Sequence, residues 1–539
     1  MIKDISITVK PDEAGNKSLI KTLINKELKK QSISFNKNEI TTVFEKKSID
    51  ARHGTVKLHL KYKVYIGEEP ESTNGNVPEW KKATGDKQVI IVGAGPAGLF
   101  GALQLLEKGI KPIIIDRGGE TSQRKKDIAL ISTKHQVNEN SNYCFGEGGA
   151  GTFSDGKLYT ISNKRGNIQK ILSIFAHFGA DEKILTDAHP HIGTDRLPQV
   201  INAMRNKIID LGGEFYFNTL LTDFILEKNS NTPTIKGIIC QNTITNEEKE
   251  FYGNAIMLAT GHSATDVYML LAKRAPQALE AKTFAVGVRV EHPRALIDAI
   301  QYHGQVPEGM GAAEYRVTTQ VKERGVYSFC MCPGGFVVPS SSGDNELVVN
   351  GMSASARNSK WSNAAIVVET RPEDIPEKYK RRAKDMGCPD IAGLLYRTYL
   401  EKLAKENGDE QAAPAQRLKD FLDNKKSIDL PSSSYTPGLV SSNLASWLPL
   451  DISSRLAEGF KLINKNMKGF ICNDALMIAI ESRTSTPVRI KRNKETLECV
   501  AVKNLYPSGE GSGYAGGIVS SAMDGENTIK AIIANLRNL

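Results

Sequence analysis

Three glycines and one aspartate carry the clearest chemical signal in the chain: Gly93, Gly95, Gly98 and Asp116. Val89-Ile-Ile-Val92 is a short apolar run that reads as a buried parallel strand. It leads into Gly93-Ala-Gly95-Pro96-Ala97-Gly98. Gly93 permits a tight turn, Gly95 lets a pyrophosphate approach the backbone, and Gly98 lets strand and helix pack closely. The helix that follows offers free N–H groups and a positive dipole end to phosphate. Leu99, Ala102, Leu103 and Leu106 give it an apolar face, and Gly109 ends it. Ile113–Ile115 is a second buried strand with Asp116 at its carboxyl end. The interval 116 − 98 is 18 residues, near the roughly 20 expected between the last glycine and a ribose-binding acid. Strand, glycines, helix, strand and acid in this order form a dinucleotide-binding unit.

Other stretches hold residues able to do chemistry. Gly146, Gly148, Gly149, Gly151 and Gly156 sit among Thr152, Ser154 and Lys157, a density that lets backbone lie against a flat or anionic ligand. Gly509-Glu510-Gly-Ser-Gly-Tyr-Ala-Gly516-Gly517-Ile518 again joins a strand to a helix, and such a turn favours anions. Cys330-Met-Cys332 could form an easily reduced disulfide or supply a nucleophile. The preferred reading is two small buried strand residues on one face, because no neighbouring base or cation is visible to lower a thiol pKa. His189-Pro-His191 invites a metal reading. Pro190 hinders joint ligation and no acid or cysteine cluster stands at ligand spacing, so no metal is expected. Thr194 or Asp195 is expected to cap the helix that begins near Leu197.

The order Gly-x-Gly-Pro-Ala-Gly followed by Ile-Asp116-Arg117-Gly-Gly resembles FAD enzymes of the glutathione-reductase type. Asn142–Lys157, Ala259-Thr260-Gly261, Phe329–Gly335, Ala413–Arg417 and Gly509–Gly517 extend the resemblance to one family of long bacterial FAD-dependent dehydrogenases. The resemblance implies FAD as cofactor. It implies that Gly93, Gly95, Pro96, Ala97, Gly98, Asp116, Arg117, Gly148, Gly149, Gly151, Thr152 and Ser154 line the nucleotide. It further implies adenine contact near Leu221, a returning strand at Thr260-Gly261, and Gly509, Glu510, Gly516, Gly517 and Ile518 near the ribityl–phosphate region and the flavin. Glu510 stands where such enzymes usually carry aspartate. Lys157, judged by charge, is placed to stabilise negative charge at flavin N1. Together with Cys330 and Cys332 it is a catalytic candidate. No second Gly-x-Gly-x-x-Gly after a strand occurs within 281–470, so the flavin is expected to be fed by its substrate, by NAD(P)H as a transient electron donor, or by a protein donor.

These residues need elements to position them. The expected fold is α/β with α+β parts: a Rossmann-like FAD-binding domain interrupted by a substrate domain, plus a small N-terminal α+β domain. The expected boundaries are 1–80 (N-terminal domain and a Pro- and Gly-containing linker over Glu68–Asp86), 86–280 (first part of the FAD domain), 281–471 (substrate domain) and 472–539 (return to the FAD domain). A β-meander is expected over 213–226, 235–242 and 250–258. Strands are expected at 285–290, 336–340, 346–350 and 500–505, and helices at 121–138, 197–211 and 391–405.

The net charge of +9 is uneven. Residues 1–63 hold 14 Lys/Arg and 7 Asp/Glu, or +7, which leaves +2 for the rest. Val56, Leu58, Leu60 and Val64 alternate with Lys57, His59, Lys61 and Lys63, so one strand shows a basic face. A solvated face is preferred over a nucleic-acid surface, since no aromatic platform accompanies the lysines. Seven scattered cysteines, no signal-type leader and no run long enough to cross a membrane lead to a cytoplasmic expectation. The expected function is that of an FAD-dependent oxidoreductase acting on a small-molecule substrate. The alternatives are an RNA-modifying flavoprotein that uses the basic domain, and a polyprenyl or other lipid reductase.

Overall fold

A computed structural model describes residues 1–539 except 34, 36–38, 53, 71–76, 161–165, 228–231, 305 and 538–539. Two sheets and their connections frame the molecule. The first is a five-stranded parallel sheet ordered Leu505–Pro507, Ala255–Leu258, Gln88–Val92, Lys111–Ile115, Glu214–Tyr216. Its central strands are buried on both faces, which is why they read as unbroken apolar runs. Val89 and Ile91 point into a layer of helices that includes Pro96–Leu106, Leu197–Asp210 and Ile518–Arg537. Ile90 and Val92 point the other way, onto the meander Thr219–Glu227, Thr234–Asn242, Glu248–Tyr252.

The second sheet has seven strands, ordered Thr318–Val321, Arg324–Cys332, Trp361–Thr370, Phe284–Pro293, Leu476–Glu481, Ala413–Arg417, Leu439–Ser441. Its strands pair antiparallel except for the last pair. Helices Ala392–Glu406 and Leu450–Asn466 pack on it through Leu394, Leu400, Leu456, Phe460 and Ile463.

Several expected boundaries need correction. The return to the first layer does not begin at 472. Leu476–Glu481 lies between Phe284–Pro293 and Ala413–Arg417 in the second sheet, because the apolar run Leu476–Ile480 is best buried inside a sheet and Glu481 at its end finds Arg289 there. The expected 213–226 strand breaks at Asn218, which adopts a left-handed conformation (φ 52°). Its first piece joins the parallel sheet and its second the meander. The 250–258 strand likewise divides at Gly253, whose Cβ would meet Ile90 at 3.1 Å. The strand expected at 500–505 is instead Leu505–Pro507, and that expected at 346–350 is Val349–Met352. Neither Thr194 nor Asp195 caps the helix at Leu197: Arg196 holds the cap position without a side-chain bond, and Asp195 accepts from the N–H and hydroxyl of Ser355.

The N-terminal domain is a three-stranded sheet, Ile2–Val9, Lys57–Ile66, Ile40–Asp50, covered by helix Lys17–Lys30. The strand Ile40–Asp50 had no clear alternation to reveal it. The lysine face is matched by acids on neighbouring strands: Lys61 lies 2.8 Å from Asp4 and 2.9 Å from Glu45, and Lys63 lies 3.8 Å from Glu45. Gly75 and part of the expected linker lie outside the described residues. The rest of that segment is fastened down, since Lys81, Ala83 and Thr84 donate to the carbonyls of Leu106, Leu211 and Gly109.

Candidate functional site

A long groove opens at the carboxyl ends of the parallel strands and encloses about 1440 Å³, its mouth included. Its floor is the first glycine turn. Gly93 has φ 110°, and a Cβ there would lie 2.3 Å from the Ala259 carbonyl oxygen. A Cβ on Gly98 would lie 2.0 Å from the Gly93 oxygen, so helix and turn touch without a gap. Gly95 differs. A Cβ there would meet only the Gly149 Cα at 3.7 Å, and the position faces the groove at the helix N-terminus. Gly261 and Gly517 also face the groove with nothing within 4 Å of an added Cβ. These positions form a cradle that side chains would fill.

Asp116 is buried and accepts from the Ala94 N–H at 2.8 Å and the Gly118 N–H at 2.9 Å. Burial raises its pKa, and the two N–H donors oppose that shift. One carboxylate thereby ties the first turn to the end of the second strand.

The second glycine-rich stretch is held from behind by Arg124. This guanidinium is fully buried and donates to the carbonyls of Asn142, Tyr143, Glu147 and Gly149 at 2.7–2.9 Å. Burial pulls its pKa down to about 10. The loop is therefore a fixed wall. Gly146, Gly148 and Gly149 all have positive φ there, so the dense glycines serve backbone geometry as well as access.

The facing wall is supplied by Phe329 and Cys330 from the second sheet, Arg483 just beyond its strand Leu476–Glu481, and Asn350 from a two-stranded ribbon, Phe336–Pro339 with Val349–Met352. Arg483 is buried and lies 3.0 Å from Glu401 and 2.5 Å from Glu346. Lys157 crosses from the glycine loop to this wall. Its Nζ donates to the Met331 carbonyl and lies 3.7 Å from the Cys330 sulfur and 3.9 Å from that of Cys332. Burial disfavours the ammonium, yet Cys330, Cys332 and Asp155 outweigh it and hold Lys157 above its ordinary range. The premise that the Cys-x-Cys segment lacks a basic neighbour is thus overturned, by a contact between residues 173 positions apart. The two cysteines also do not share a regular strand face. Cys330 has φ 44°, and the ladder to Trp361–Thr370 shifts register between Phe329 and Cys332.

At the groove's other end, His262 Nε2 stands 2.9 Å from the Arg483 carbonyl oxygen and Nδ1 stands 3.3 Å from Glu510. Burial raises the Glu510 pKa, but His262 and the Gly517 N–H reverse this and leave it lowered.

Of the residues expected around the cofactor, Gly93, Gly95, Pro96, Ala97, Asp116, Arg117, Gly149, Gly151, Ser154, Lys157, Leu221, Thr260, Gly261, Gly509, Glu510, Gly517 and Ile518 line the groove. Gly98, Gly148, Thr152 and Gly516 lie off its surface. Gly98 is packed against Gly93, and Thr152 is buried with its hydroxyl on the Glu147 carbonyl. Cys330 lines the groove, while Cys332 is buried behind it. His189 and His191 separate to Glu314 and to the Ser355 carbonyl. Sequence reasoning missed His262, Asn350 and Arg483 as site residues, and held Cys144 and Phe145 only within the stretch Asn142–Lys157 without singling them out. Arg483, which with Glu481 sets charge of both signs within three residues of the apolar run 476–480, was the one with a visible signal.

Residues 86–133 match an FAD binding domain, and residues 283–484 match the C-terminal domain-like region of FAD-dependent proteins. Residues 1–65 match a domain of unknown function. An uncharacterized protein of Clostridium beijerinckii is 40% identical over 455 residues, which is 82% of this chain and 80% of that one. The chain belongs to this family of FAD-dependent proteins. Solved structures similar to this flavoprotein include a geranylgeranyl bacteriochlorophyll reductase-like protein from Thermoplasma acidophilum (TM-score 0.35, 10% identity, 84% of this chain and 80% of that chain). Another is the glycerol-3-phosphate dehydrogenase from Bacillus halodurans complexed with FAD (TM-score 0.26, 10% identity, 56% and 49%). The groove of this flavoprotein fits FAD in kind: an open glycine at a helix N-terminus, a buried acid at the next strand end and two further glycine cradles. Among its described residues, no helix is long and apolar enough to cross a membrane.

Proposed function

We propose that this flavoprotein oxidises or reduces a small polar molecule held between the glycine floor and the wall made by Phe329, Cys330, Asn350 and Arg483. One observation carries the reading: the wall that faces the cofactor cradle is contributed by the second sheet and the ribbon beside it, and bears charged, hydrogen-bonding and thiol groups. Gly95 and the first turn of Pro96–Leu106 would hold the pyrophosphate, Asp116 the adenosine ribose, and Gly509, Glu510 and Gly517 the ribityl side. FAD, when bound, supplies two-electron hydride chemistry.

The chain's own groups position and exclude. Arg483, clamped by Glu346 and Glu401, has its side chain fixed and can orient a carbonyl or carboxylate. Lys157 keeps its proton and presents positive charge beside the cradle. Polar wall groups count against a long apolar substrate. The paired lysines of the N-terminal sheet count against a nucleic-acid handle.

The test is an anaerobic visible spectrum of the purified protein, followed by titration with NADPH and then NADH. A flavin band bleached by neither, but bleached by a small polar reductant, supports a substrate-fed enzyme. Bleaching by a nicotinamide identifies the transient donor. A flavin band that responds only to polyprenyl substrates would overturn the reading.

A further inference from the structure

Five groups from four parts of the chain meet at one spot on the groove wall: Lys157 from the glycine loop, Cys330 and Cys332 from the strand Arg324–Cys332, and behind them Arg289 from Phe284–Pro293 paired with Glu481 from Leu476–Glu481. We propose that Cys330 and Cys332 form a dithiol/disulfide couple at the FAD groove, with Cys330 the exchanging sulfur and Cys332 the resolving one. The proposal rests on the FAD reading above for its electron acceptor.

Three independent observations assign the roles. The first is access: Cys330 lines the groove, whereas Cys332 has no exposed surface. An exchanging thiol must be reached, and a resolving thiol needs only its partner. The second is charge. Lys157 Nζ lies within 4 Å of both sulfurs, and the Arg289 guanidinium lies 3.6 Å from Cys332 and donates to the Cys330 carbonyl. Asp155 and Glu481 are the acids that face this cluster, and each has its own cation: Arg357 at 2.6 Å and Arg289 at 2.8 Å. The Cys332 thiol donating to Cys330, then Lys157 and Arg289, hold Cys330 below the usual thiol range, and the same coupling holds Cys332 above it. The third is backbone. Cys330 sits in the left-handed region at a break in the ladder, which turns its side chain off the strand's regular alternation. The Cys332 thiol reaches back to the Cys330 carbonyl oxygen at 3.4 Å, Lys157 Nζ bridges the two sulfurs, and both thiols are free.

The reaction balances within the couple. The Cys330 thiolate and the Cys332 thiol lose one proton and an electron pair as the S–S bond forms, and the pair goes to an enzyme-bound isoalloxazine or to an external disulfide. The reverse reaction restores thiolate and thiol.

The experiment uses the full-length holoenzyme under anaerobic conditions, with three measurements. Brief treatment with diamide, alkylation of the remaining thiols and tryptic mapping should show the peptide 325–357 lighter by two hydrogens and unalkylated. Reductive titration of the diamide-treated holoenzyme should take up one electron pair more than Cys332→Ser before the flavin is fully bleached. In the untreated protein, Cys330 should react with iodoacetamide at pH 7 at least tenfold faster than any other cysteine, and Lys157→Met should abolish that advantage. A peptide 325–357 with both thiols alkylated after diamide overturns the proposal. So does a crosslink from Cys330 to Cys144, which also lines the groove, or equal uptake by wild type and Cys332→Ser. Flavin absorbance in every sample separates failure of the couple from failure of FAD binding, and Cys332→Ala is the second variant should the serine not fold.

Discussion

The glycines at positions 95 and 98 do different work although the motif writes them alike. Gly98 has no room for a methyl group, with backbone oxygen at 2.0 Å, whereas a methyl group on Gly95 would project into the groove proposed to hold FAD. Gly98→Ala is therefore expected to reduce soluble, folded yield. Gly95→Ala should fold, with an unchanged far-ultraviolet spectrum, yet be purified without flavin. Asp116→Ala strands two buried N–H donors and removes a charge-assisted anchor, so FAD affinity measured by fluorescence quenching should fall about tenfold to a hundredfold. His292 gives a residue-scale pH dependence. It is fully buried, with Nε2 on the Phe470 carbonyl at 2.8 Å and no partner for Nδ1 among the described residues, and burial lowers its pKa from 6.5 to about 4. The unfolded chain takes up this proton below pH 6.5, while the folded chain refuses it until about pH 4. Stability is thus lost as pH falls through that window, by about 3 kcal/mol. His292→Gln keeps an amide donor and removes the proton. Denaturant unfolding at pH 7 and pH 4.5 should show a smaller acid loss for the variant than for wild type; equal losses would mean His292 does not set the slope.

At the scale of elements, the dinucleotide unit was legible because every step of it is local: an apolar run, a turn, an amphipathic helix and an acid within 28 residues (89–116). What the sequence did not disclose is long-range. Arg124 lies in a helix of low apolar content and looks solvated, yet it is fully buried under the loop 142–149 and supports four carbonyls. The Lys157–Cys330 contact is invisible for the same reason, since charge and thiol belong to different layers. Leu476–Glu481 was assigned to the wrong layer because an apolar run says that a strand is buried and not which sheet buries it. Arg124→Lys tests the loop argument. A lysine has one compact ammonium in place of a planar fork, so it cannot satisfy carbonyls from Asn142 to Gly149 together. The variant should lose about 3 kcal/mol of stability and its bound flavin together. Retention of flavin with normal stability would show that the glycine loop holds its shape unaided.

At the scale of the molecule, the question is whether the two layers behave as one. The chain passes between them along a two-stranded ribbon, Leu279–Ala281 paired with Val488–Ile490, so the outward and return crossings lie side by side. Arg397 in the second layer donates to the His262 carbonyl in the first, and Arg483 receives His262 in return. The N-terminal sheet is also joined, since Lys47 exchanges backbone bonds with Thr186 and Ala188, and Val56 is buried in the main core. A groove whose floor and wall come from different layers would make FAD, bound there as proposed, a ligand of both. At a hundredfold excess over Kd, FAD adds about 2.7 kcal/mol to whatever unit unfolds with the site. If all 539 residues unfold together, their unfolding entropy of about 2.1 cal/mol/K per residue limits the rise in Tm to roughly 2 °C, shared by every probe. If the first layer melted alone, its smaller entropy would roughly double the shift and leave the second layer's transition unmoved. We expect the first result in calorimetry of the apoprotein with and without FAD: one transition, shifted slightly and whole. Two transitions, with only one responding to FAD, would show that the ribbon and the His262 contacts do not couple the layers.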